Sequence, residues 1–384
     1  LCGNKQHVVL LQGNVGHLAA HNSFNVNGYH LQSAVGTHAM LSADERQKMF
    51  GDIPADVFLY HRWQTDTVRI GEIPAELVAK ISEGNFAEPI DIEVNRRFWE
   101  GGYDLILSVG QVVPHEVVGM ANYSKNIFVG LGGRQMINKS HMLGAICGIE
   151  QALGNDHAPA RQLFDYAQEH CLQGLPLVYL LTVTTTDHAG THLHGLYIGD
   201  SRKPFEKAVA LSQKRNITYL DRPAKKIVAY LDPYELKTTW VGNKGIYRSR
   251  MAIADGGELL LLAPGIHAFG ENEEVDRAIR AYGYVGRDKI LGFYRENCFP
   301  NQYMVPAHLI HGSSDGRFSI TYAVDTAKMS REEIEHVGFH CMDAAEAMRR
   351  YDPDVLQDGW QMMPDGEEIY FIRNPATGLW RLPE

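Results

Sequence analysis

The segment Tyr103–Gly144, YDLILSVGQVVPHEVVGMANYSKNIFVGLGGRQMINKSHMLG, predicts the fold and the position of a site. Its run Leu105–Val109 is short and apolar, and Gly110 follows it, which is typical of a buried strand. In open α/β sheets, ligand sites gather at the carboxyl ends of strands. Pro114–His115, directly after this strand, therefore lies where a ligand site is expected.

Three side chains of this segment suit a bound cofactor: His115, Lys125 and His141, around the Gly-rich turn 130–133. A Lys offers a charged or nucleophilic amine, and a His offers a metal ligand. Gly residues would let backbone amides approach a phosphate, because no Cβ obstructs it. The pattern predicts a phosphorylated, metal-bearing cofactor.

Each of these residues also has an ordinary structural interpretation. His115, and likewise His38 after an earlier predicted strand, could be loop residues satisfied by backbone groups. Lys125 could be a surface Lys, although the apolar run that follows it indicates partial burial. His141, beside Ser140, could be a helix N-terminal residue without a ligand.

The spacing of these residues resembles a known family. PHEVVGMANYSK at 114–125 resembles the PHxxxGxxxxxK motif of the nickel-dependent lactate racemase family, and His141 falls at the spacing of that family's nickel-binding His. The GTH sequence at 36–38 and the GIYR sequence at 245–248 resemble two further segments. The resemblance runs from about residue 34 to the C-terminus.

The resemblance implies a nickel pincer nucleotide, which is a pyridinium mononucleotide with two sulfur arms and a ring carbon bound to nickel. Lys125 would be its covalent tether and His141 the fourth nickel ligand. Tyr247 and Arg248 would face the cofactor from the second domain. Enzymes that synthesise the cofactor are implied as partners.

The implied reaction is racemisation or epimerisation of a small 2-hydroxy acid by abstraction and return of hydride at C2. Removing hydride is easier than removing a barely acidic C–H proton, but no side chain accepts hydride, so a cofactor is needed. By the resemblance, His38 and His115 would be the two acid/bases, one for each stereoisomer. Such a group typically contributes about 10²–10⁴-fold.

Three departures from the family pattern bear on the substrate. An acidic-Thr-Arg segment is expected after the first strand, His7–Leu11, and is not found. Arg248 stands where lactate enzymes carry Gln, and Met251 where they carry Lys. The alternatives are a C2 epimerase of a sugar acid such as D-mannonate or D-gluconate, and a non-catalytic binding paralogue.

A third alternative, a zinc hydrolase, rests on one His-rich segment. Two His two apart in a strand point to one face, but no acidic partner is evident, so exposed hairpin histidines are favoured. The segment contains Asp187, His188, His192 and His194. His308 and His311 form another pair, three residues apart, where a second-domain loop could meet the cofactor.

Composition narrows the class of protein. A chain of 384 residues is long enough for two domains. Its net charge of −10, without a basic run, argues against nucleic-acid binding. The five Cys are scattered without CxxC, which favours reduced thiols and a cytoplasmic location. No apolar run approaches the length of a membrane span, and no signal peptide is visible.

Strand and helix patterns alternate over two blocks, which predicts an α/β fold of two α/β domains with a cofactor and substrate cleft between them. We place the N-terminal domain, with the catalytic His, the cofactor Lys and the nickel His, at 1–225, and the domain that closes the cleft at 226–384. The predicted helices include ADERQKMFG after Ser42, one from Ser140 to Leu153, one from Pro159 to Leu172 and one from Gly245 to Ala254.

Overall fold

The computed structural model describes residues 7–11, 29–34, 43–50, 54–187, 190–300, 302–376 and 378–383. The chain forms two compact units, one of residues 1–147 and 151–216 and one of residues 148–150 and 217–384. Each unit combines helices with a six-stranded sheet. The predicted α/β fold class is confirmed. None of the helices within the described residues is long and apolar enough to cross a membrane.

The first unit is built on a doubly wound sheet. The described strands of this unit are β1 (His7–Leu11), β2 (Tyr29–Ser33), β3 (Phe58–Leu59), β4 (Thr67–Ile73), β5 (Ile90–Asn95), β6 (Leu105–Gln111), β7 (Pro114–His115), β8 (Gly119–Met120), β9 (Leu177–Asp187) and β10 (Gly190–Gly199). Strands β4 and β5 form a separate pair, as do β7 and β8. The sheet order is β10-β9-β6-β1-β2-β3, and only β10 is antiparallel to its neighbour. The chain builds outward from β1 in one direction and from β6 in the other. Ligand sites of such sheets lie at the carboxyl ends of the strands where the order reverses.

Helices bury the apolar residues of this unit. They are α1 (Ala43–Phe50), α2 (Ala75–Ile81), α3 (Arg96–Glu100), α4 (Ser124–Phe128), α5 (Arg134–Cys147), α6 (Ile149–Ala152), α7 (Pro159–Cys171) and α8 (Arg202–Asn216). Helix α7 begins with Pro159 and buries Ala160, Leu163, Phe164 and Ala167, which recur at helical spacing. It packs against α4 and α5, which carry two of the predicted site residues.

The second unit contains its own sheet. Its strands are β11 (Ile217–Tyr219), β12 (Ala224–Tyr230), β13 (Ile253–Leu262), β14 (Ser319–Val324), β15 (His340–Asp343), β16 (Gly359–Met362), β17 (Glu368–Ile372) and β18 (Leu379–Arg381). The main order is β15-β14-β13-β12-β17-β16, with only β16 antiparallel. Central β13 ends in four fully buried Leu, 259–262, as expected of a parallel strand covered on both faces.

The helices of the second unit follow these strands. They are α9 (Thr239–Gly242), α10 (Lys244–Ser249), α11 (Glu273–Tyr282), α12 (Arg287–Arg295), α13 (Met304–His311), α14 (Arg331–His336) and α15 (Ala344–Arg350). The predicted helix over 245–254 is wrong in its second half, because α10 ends at Ser249 and β13 already begins at Ile253. Residues from Ile253 onward are extended because they pair with β12 as a parallel strand.

Two boundaries in the first unit also differ from prediction. Gly110 does not end β6, which continues to Gln111 and pairs with β9 to that residue. Helix α5 begins at Arg134, so the expected start at Ser140 is wrong. The Ser140 hydroxyl donates back to the carbonyl of Ile137, 3.0 Å away within the same helix. Ser42, the expected cap of α1, lies outside the described residues.

Candidate functional site

His115 is placed by a two-strand hairpin beyond the carboxyl end of β6. Strand β7 pairs with β8, and His115 stands opposite Gly119. The side chain is half-buried, and its Nδ1 accepts the backbone N–H of Val117 at 3.2 Å. Because Nδ1 accepts, the proton of the neutral ring lies on Nε2. The hairpin puts this His at the edge where the strand order of the sheet reverses.

The backbone between His115 and Lys125 is held in an unusual conformation. Asn122 and Tyr123 both have positive φ, 68° and 57°. Asn tolerates this region, but Tyr rarely adopts it, and such a residue costs about 1–3 kcal/mol. The Asn122 side-chain oxygen accepts the Tyr123 N–H at 2.7 Å, which supports the turn locally. Strained backbone of this kind persists only where its surroundings fix it.

A buried arginine fixes this turn. Arg161 of α7 donates to the carbonyl of Asn122 at 3.2 Å, to the Ser124 hydroxyl at 2.8 Å and to the carbonyl of Met120. Burial lowers the pKa of the Arg161 guanidinium to about 10, so it remains charged at neutral pH. Its three acceptors lie on the segment from Met120, at the end of β8, to Ser124, directly before Lys125. We call this contact set the arginine clamp.

An acidic partner balances the arginine clamp. Asp165, one turn further along α7, accepts the Ser124 hydroxyl at 3.2 Å and pairs with Arg202. Burial raises the pKa of the Asp165 carboxyl, and the charges of Arg161 and Arg202 oppose that rise. The two guanidinium groups keep a carboxylate stable where burial alone would disfavour it.

Lys125 is the second residue of α4, and its half-burial agrees with the sequence prediction. The other four residues of α4 are buried, whereas Lys125 is only partly so. Asn126 anchors the helix by donating to the Ser108 hydroxyl of β6 at 2.8 Å. Its neighbours thus fix the Lys125 backbone while its side chain reaches the edge of the core.

The Gly-rich turn does not serve the purpose that the sequence suggested. The amides of its four residues donate inside the protein, to the carbonyls of Lys125, Ile127, Val129 and Glu93. A Cβ at Gly132 would lie 1.9 Å from the Phe128 carbonyl oxygen, so close packing explains the glycine. The predicted phosphate cradle is wrong at this turn.

His141 is the eighth residue of α5, two turns after the helix begins. The helix is capped from a distance by Glu93 of β5, whose carboxylate accepts the N–H of Gln135 at 2.7 Å. Burial raises the pKa of the Glu93 carboxyl. His141 Nδ1 is 2.7 Å from the carbonyl of Ile137, which can only accept, so Nδ1 carries the ring proton. Nε2 then bears the lone pair that a metal ligand needs, the arrangement usual for metal-binding His.

The structure brings the hairpin of His115 and the helix of His141 together. A Cβ on Gly144 of α5 would lie 3.0 Å from Val117 Cγ1 and 3.3 Å from its carbonyl oxygen, so the hairpin packs directly on this glycine. Gly144 is three residues after His141 and shares its helix face. Val117 is also the residue that binds the His115 ring.

A neutral buried His supports the turn that joins Lys125 to α5. His61 Nε2 lies 2.9 Å from the carbonyl of Gly132, and its Nδ1 is 3.0 Å from the Asn95 amide nitrogen. Burial lowers the pKa of His61, which favours the neutral ring. Sequence reasoning missed His61, Arg161 and Glu93, because each acts on a segment far away in the chain.

The second unit places Tyr247 and Arg248 in α10, and both are buried. The Tyr247 hydroxyl is 3.0 Å from Nδ1 of His308, one of the two His singled out in the sequence. A cavity of about 750 Å³ in the same unit is lined by the loops that follow β12 and β13, and by none of the predicted site residues.

His38 and the 36–38 segment lie outside the described residues, as does 12–28, where the acidic-Thr-Arg segment was sought. In the described part of the 187–194 hairpin, His192 is exposed and His194 bonds to the Thr185 hydroxyl at 2.7 Å. No group of three or more His, Cys, Asp or Glu within the described ranges could hold a metal. A zinc site built from protein ligands alone therefore has no support there.

The first unit is thus a doubly wound α/β domain in which a His, a Lys and a second His follow β6 in one segment of the chain. Residues 25–154 match the lactate racemase N-terminal domain, a segment that contains all three of these residues together with His38. The resemblance to the lactate racemase family is therefore confirmed over this segment.

Two solved structures share the fold of the whole chain. A Thermotoga maritima protein superposes with a TM-score of 0.83 at 24% identity, covering 99% of this chain and 94% of its own. The lactate racemase apoprotein of Thermoanaerobacterium thermosaccharolyticum superposes with a TM-score of 0.73 at 18% identity, covering 99% of this chain and 87% of its own. No curated protein matches the chain.

Proposed function

We propose that this protein is a nickel-pincer-dependent racemase or epimerase of a 2-hydroxy acid. The observation that supports the proposal is that His115, Lys125 and His141 lie in one stretch of chain directly after β6, within the segment that matches the lactate racemase domain. The hairpin of His115 packs on the helix of His141, and α4 presents Lys125 between them in the chain.

The residues present fit the proposed cofactor. His141 has its Nδ1 proton held by the carbonyl of Ile137, so Nε2 would be the atom that binds nickel. Lys125 would supply the amine that tethers the nucleotide. When bound, the cofactor would supply the hydride acceptor that no side chain can provide.

His115 would move the proton of the substrate hydroxyl. In the structure Nδ1 accepts the amide of Val117, so the lone pair that can take a proton is on Nδ1. Proton uptake therefore requires that this 3.2 Å contact opens, and its length indicates a weak bond. His38 would serve the opposite stereoisomer. Its role remains a prediction.

The substrate class is a small 2-hydroxy acid, and the departures at Arg248 and Met251 favour a sugar acid over lactate. In the structure the backbone of Met251 pairs with that of Arg381 in β18. This pairing fixes the backbone at Met251. A panel of lactate, D-mannonate and D-gluconate would separate the two. Racemisation of lactate, or C2 epimerisation of either sugar acid, by protein made together with the cofactor-synthesis enzymes would support the proposal.

His141→Ala tests nickel binding with a control from the same unit. His170 of α7 bonds its Nδ1 to the carbonyl of Tyr166, four residues earlier, at 2.8 Å, as His141 does, but it is exposed and distant from the site in sequence. We expect His141→Ala to lose most bound nickel and His170→Ala to keep it, with unchanged circular dichroism for both. Equal nickel in both variants, or a correctly loaded wild type that racemises nothing, would contradict the proposal; the second result would indicate a binding paralogue.

A further inference from the structure

His61 contacts both the end of β5 and the turn 129–133, which joins α4 to α5. Its side chain is buried, with 3% exposed. Nε2 lies 2.9 Å from the carbonyl oxygen of Gly132, and Nδ1 lies 3.0 Å from the side-chain nitrogen of Asn95, the last residue of β5. Both ring nitrogens are therefore engaged, and their partners decide which nitrogen carries a proton.

The two partners of His61 fix the same form of its ring. The carbonyl oxygen of Gly132 can only accept, so Nε2 donates to it. The side-chain oxygen of Asn95 caps α3, because it accepts the backbone N–H groups of Arg97 at 2.9 Å and Phe98 at 3.3 Å. The Asn95 atom that faces Nδ1 is therefore the NH₂ group, which can only donate. The ring must be neutral, with its proton on Nε2.

A doubly protonated His61 does not fit this arrangement. A proton on Nδ1 would face the NH₂ group of Asn95, and turning that amide round would remove the cap of α3. Burial also disfavours the charged ring and lowers the pKa of His61. Geometry and burial thus act in the same direction.

The elements around His61 carry charges of both signs. The charged side chains are Arg46 of α1, Arg62 and Asp66 of its own loop, Glu93 of β5, Arg97 of α3 and Arg134 of α5. The Asp66 carboxylate and the hydrogen bond to Gly132 favour a higher pKa of His61, but burial outweighs them. Glu93 also titrates in acid, so its effect must be separated from that of His61 by a variant.

The turn that His61 holds sets the distance between two predicted site residues. Helix α4 carries Lys125, helix α5 carries His141, and only residues 129–133 separate the two helices. The Leu131 amide donates to a carbonyl of α4 at 3.1 Å, and the Gly133 carbonyl accepts an amide of α5 at 3.0 Å. The residue that His61 binds lies between these two bonds, so its release would affect both helices.

We propose that neutral His61 is a positioning residue for the segment from Lys125 to His141, and that a second proton on its ring releases the turn. In the open turn the ring can take that proton near its ordinary pKa of 6.5. The opening constant should therefore rise up to about tenfold for each pH unit below about 6.5 and be constant above it. The consequence for a cofactor rests on the proposed function, whereas the opening of the turn does not.

Hydrogen exchange of the full-length apoprotein tests the release without a variant. The amide of Leu131, in the turn, is compared with the amide of Val112, which donates to the carbonyl of Thr182 in the same unit. After correction for intrinsic exchange, the opening constant of Leu131 should rise about tenfold relative to that of Val112 between pH 6.5 and 5.5. A ratio that does not change with pH would overturn the release.

His61→Gln separates His61 from the other groups that titrate. Gln keeps an N–H donor for the Gly132 carbonyl but takes up no proton, so the ratio of opening constants should no longer depend on pH. His170→Gln is the control, because His170 is exposed and its ring bonds the carbonyl of Tyr166. This variant should behave as the wild type does. A pH dependence that persists in His61→Gln would assign the opening to Glu93 or another group and overturn the inference.

Asn95→Asp tests the directions of the bonds. One carboxylate oxygen can keep the cap of α3 while the other accepts a proton from Nδ1, so the charged ring should now be favoured. In ¹⁵N-histidine spectra, His61 of the wild type should carry a proton on Nε2 alone at neutral pH and titrate below about 6.5, and in the variant it should titrate above that value. A wild-type proton on Nδ1 would overturn the inference, and this spectrum decides by itself should the variant not fold.

The cofactor-loaded protein shows whether the release affects nickel. At about pH 5.5, nickel should dissociate from the wild type up to about tenfold faster than from His61→Gln, because only the wild type opens by proton uptake at His61. Equal dissociation rates would overturn the positioning role. A wild type that never acquires the cofactor would refute the proposed function, and the exchange measurement would still decide whether the turn is released.

Discussion

The two units hold their predicted site residues by different physical means. In the first unit a buried guanidinium clamps three acceptors around a strained turn, with a partly buried carboxylate as its partner. In the second, the hydroxyls of Thr239 and Tyr284 and the imidazole of His308 form a hydrogen-bonded chain that reaches Tyr247. The first arrangement depends on a buried charge, whereas the second is built mainly from hydroxyl groups. The two arrangements should therefore respond differently to the loss of one member.

The largest effect is expected for Arg161→Met. In this variant the partly buried Asp165 loses one neighbouring cation, and three buried acceptors lose their hydrogen-bond donor. We therefore expect the free energy of unfolding to fall by about 3–5 kcal/mol. Arg96→Met is the control, because Arg96 is an exposed residue paired with Glu100 and should cost less than about 1 kcal/mol. Urea unfolding followed at several wavelengths would measure both. Similar losses for the two variants would show that the clamp does not hold the turn.

A smaller loss is expected for Tyr284→Phe. The variant removes one buried hydroxyl that bonds Thr239 and His308, so the cost should be about 1–3 kcal/mol. A loss as large as that of Arg161→Met would remove the distinction between the arginine clamp and the hydroxyl chain. The same urea titration, read for the two units by a tryptophan probe in each, would decide it.

The smallest effect is expected for the pH dependence of stability that Glu93 causes; this residue caps α5 from a distant part of the chain. The Glu93 pKa is raised above its ordinary value of 4.5 in the folded protein, mainly by burial. The folded state then binds more protons than the unfolded state, so this contribution to stability is complete below about 4.5 and is lost as the pH rises through the folded value.

Glu93→Gln should remove this dependence while keeping an oxygen to accept the Gln135 amide. As the pH rises from 4 toward neutrality, the wild type should therefore lose unfolding free energy relative to the variant. Glu88→Gln, at an exposed Glu paired with Lys139, serves as the control. A difference that moves the opposite way would mean that Glu93 is stabilised as an anion.

The sequence allowed good predictions where the determining interactions are local. The helix that begins at Pro159 follows from the spacing of its apolar residues and from Pro at its first position, and the structure has it. The half-burial of Lys125 follows from the apolar residues beside it. His115 was expected after a strand end, and it lies in a hairpin directly beyond β6.

Predictions failed where the partner is far away in the chain. Ser140 looked like a helix cap, but Glu93, more than forty residues earlier, caps α5 instead. The Gly-rich turn 130–133 looked like a phosphate-binding loop. Its amides instead donate to backbone carbonyls of the protein, one of which, that of Glu93, is distant in the sequence. Nothing local to Arg161 indicates that it would hold the turn before Lys125, and a positive φ at Tyr123 has no sequence signal.

The central claim is that Lys125 carries the cofactor, and the mass of the intact protein tests it most directly. Protein co-expressed with the cofactor-synthesis enzymes should be heavier than its sequence mass by about one mononucleotide. Lys125→Arg keeps the charge but not the nucleophilic amine and should lose the adduct. Lys139→Arg, on α5 and paired with Glu88, should keep it. Racemisation by wild-type protein at its unmodified mass, or an adduct that persists in Lys125→Arg, would contradict the account.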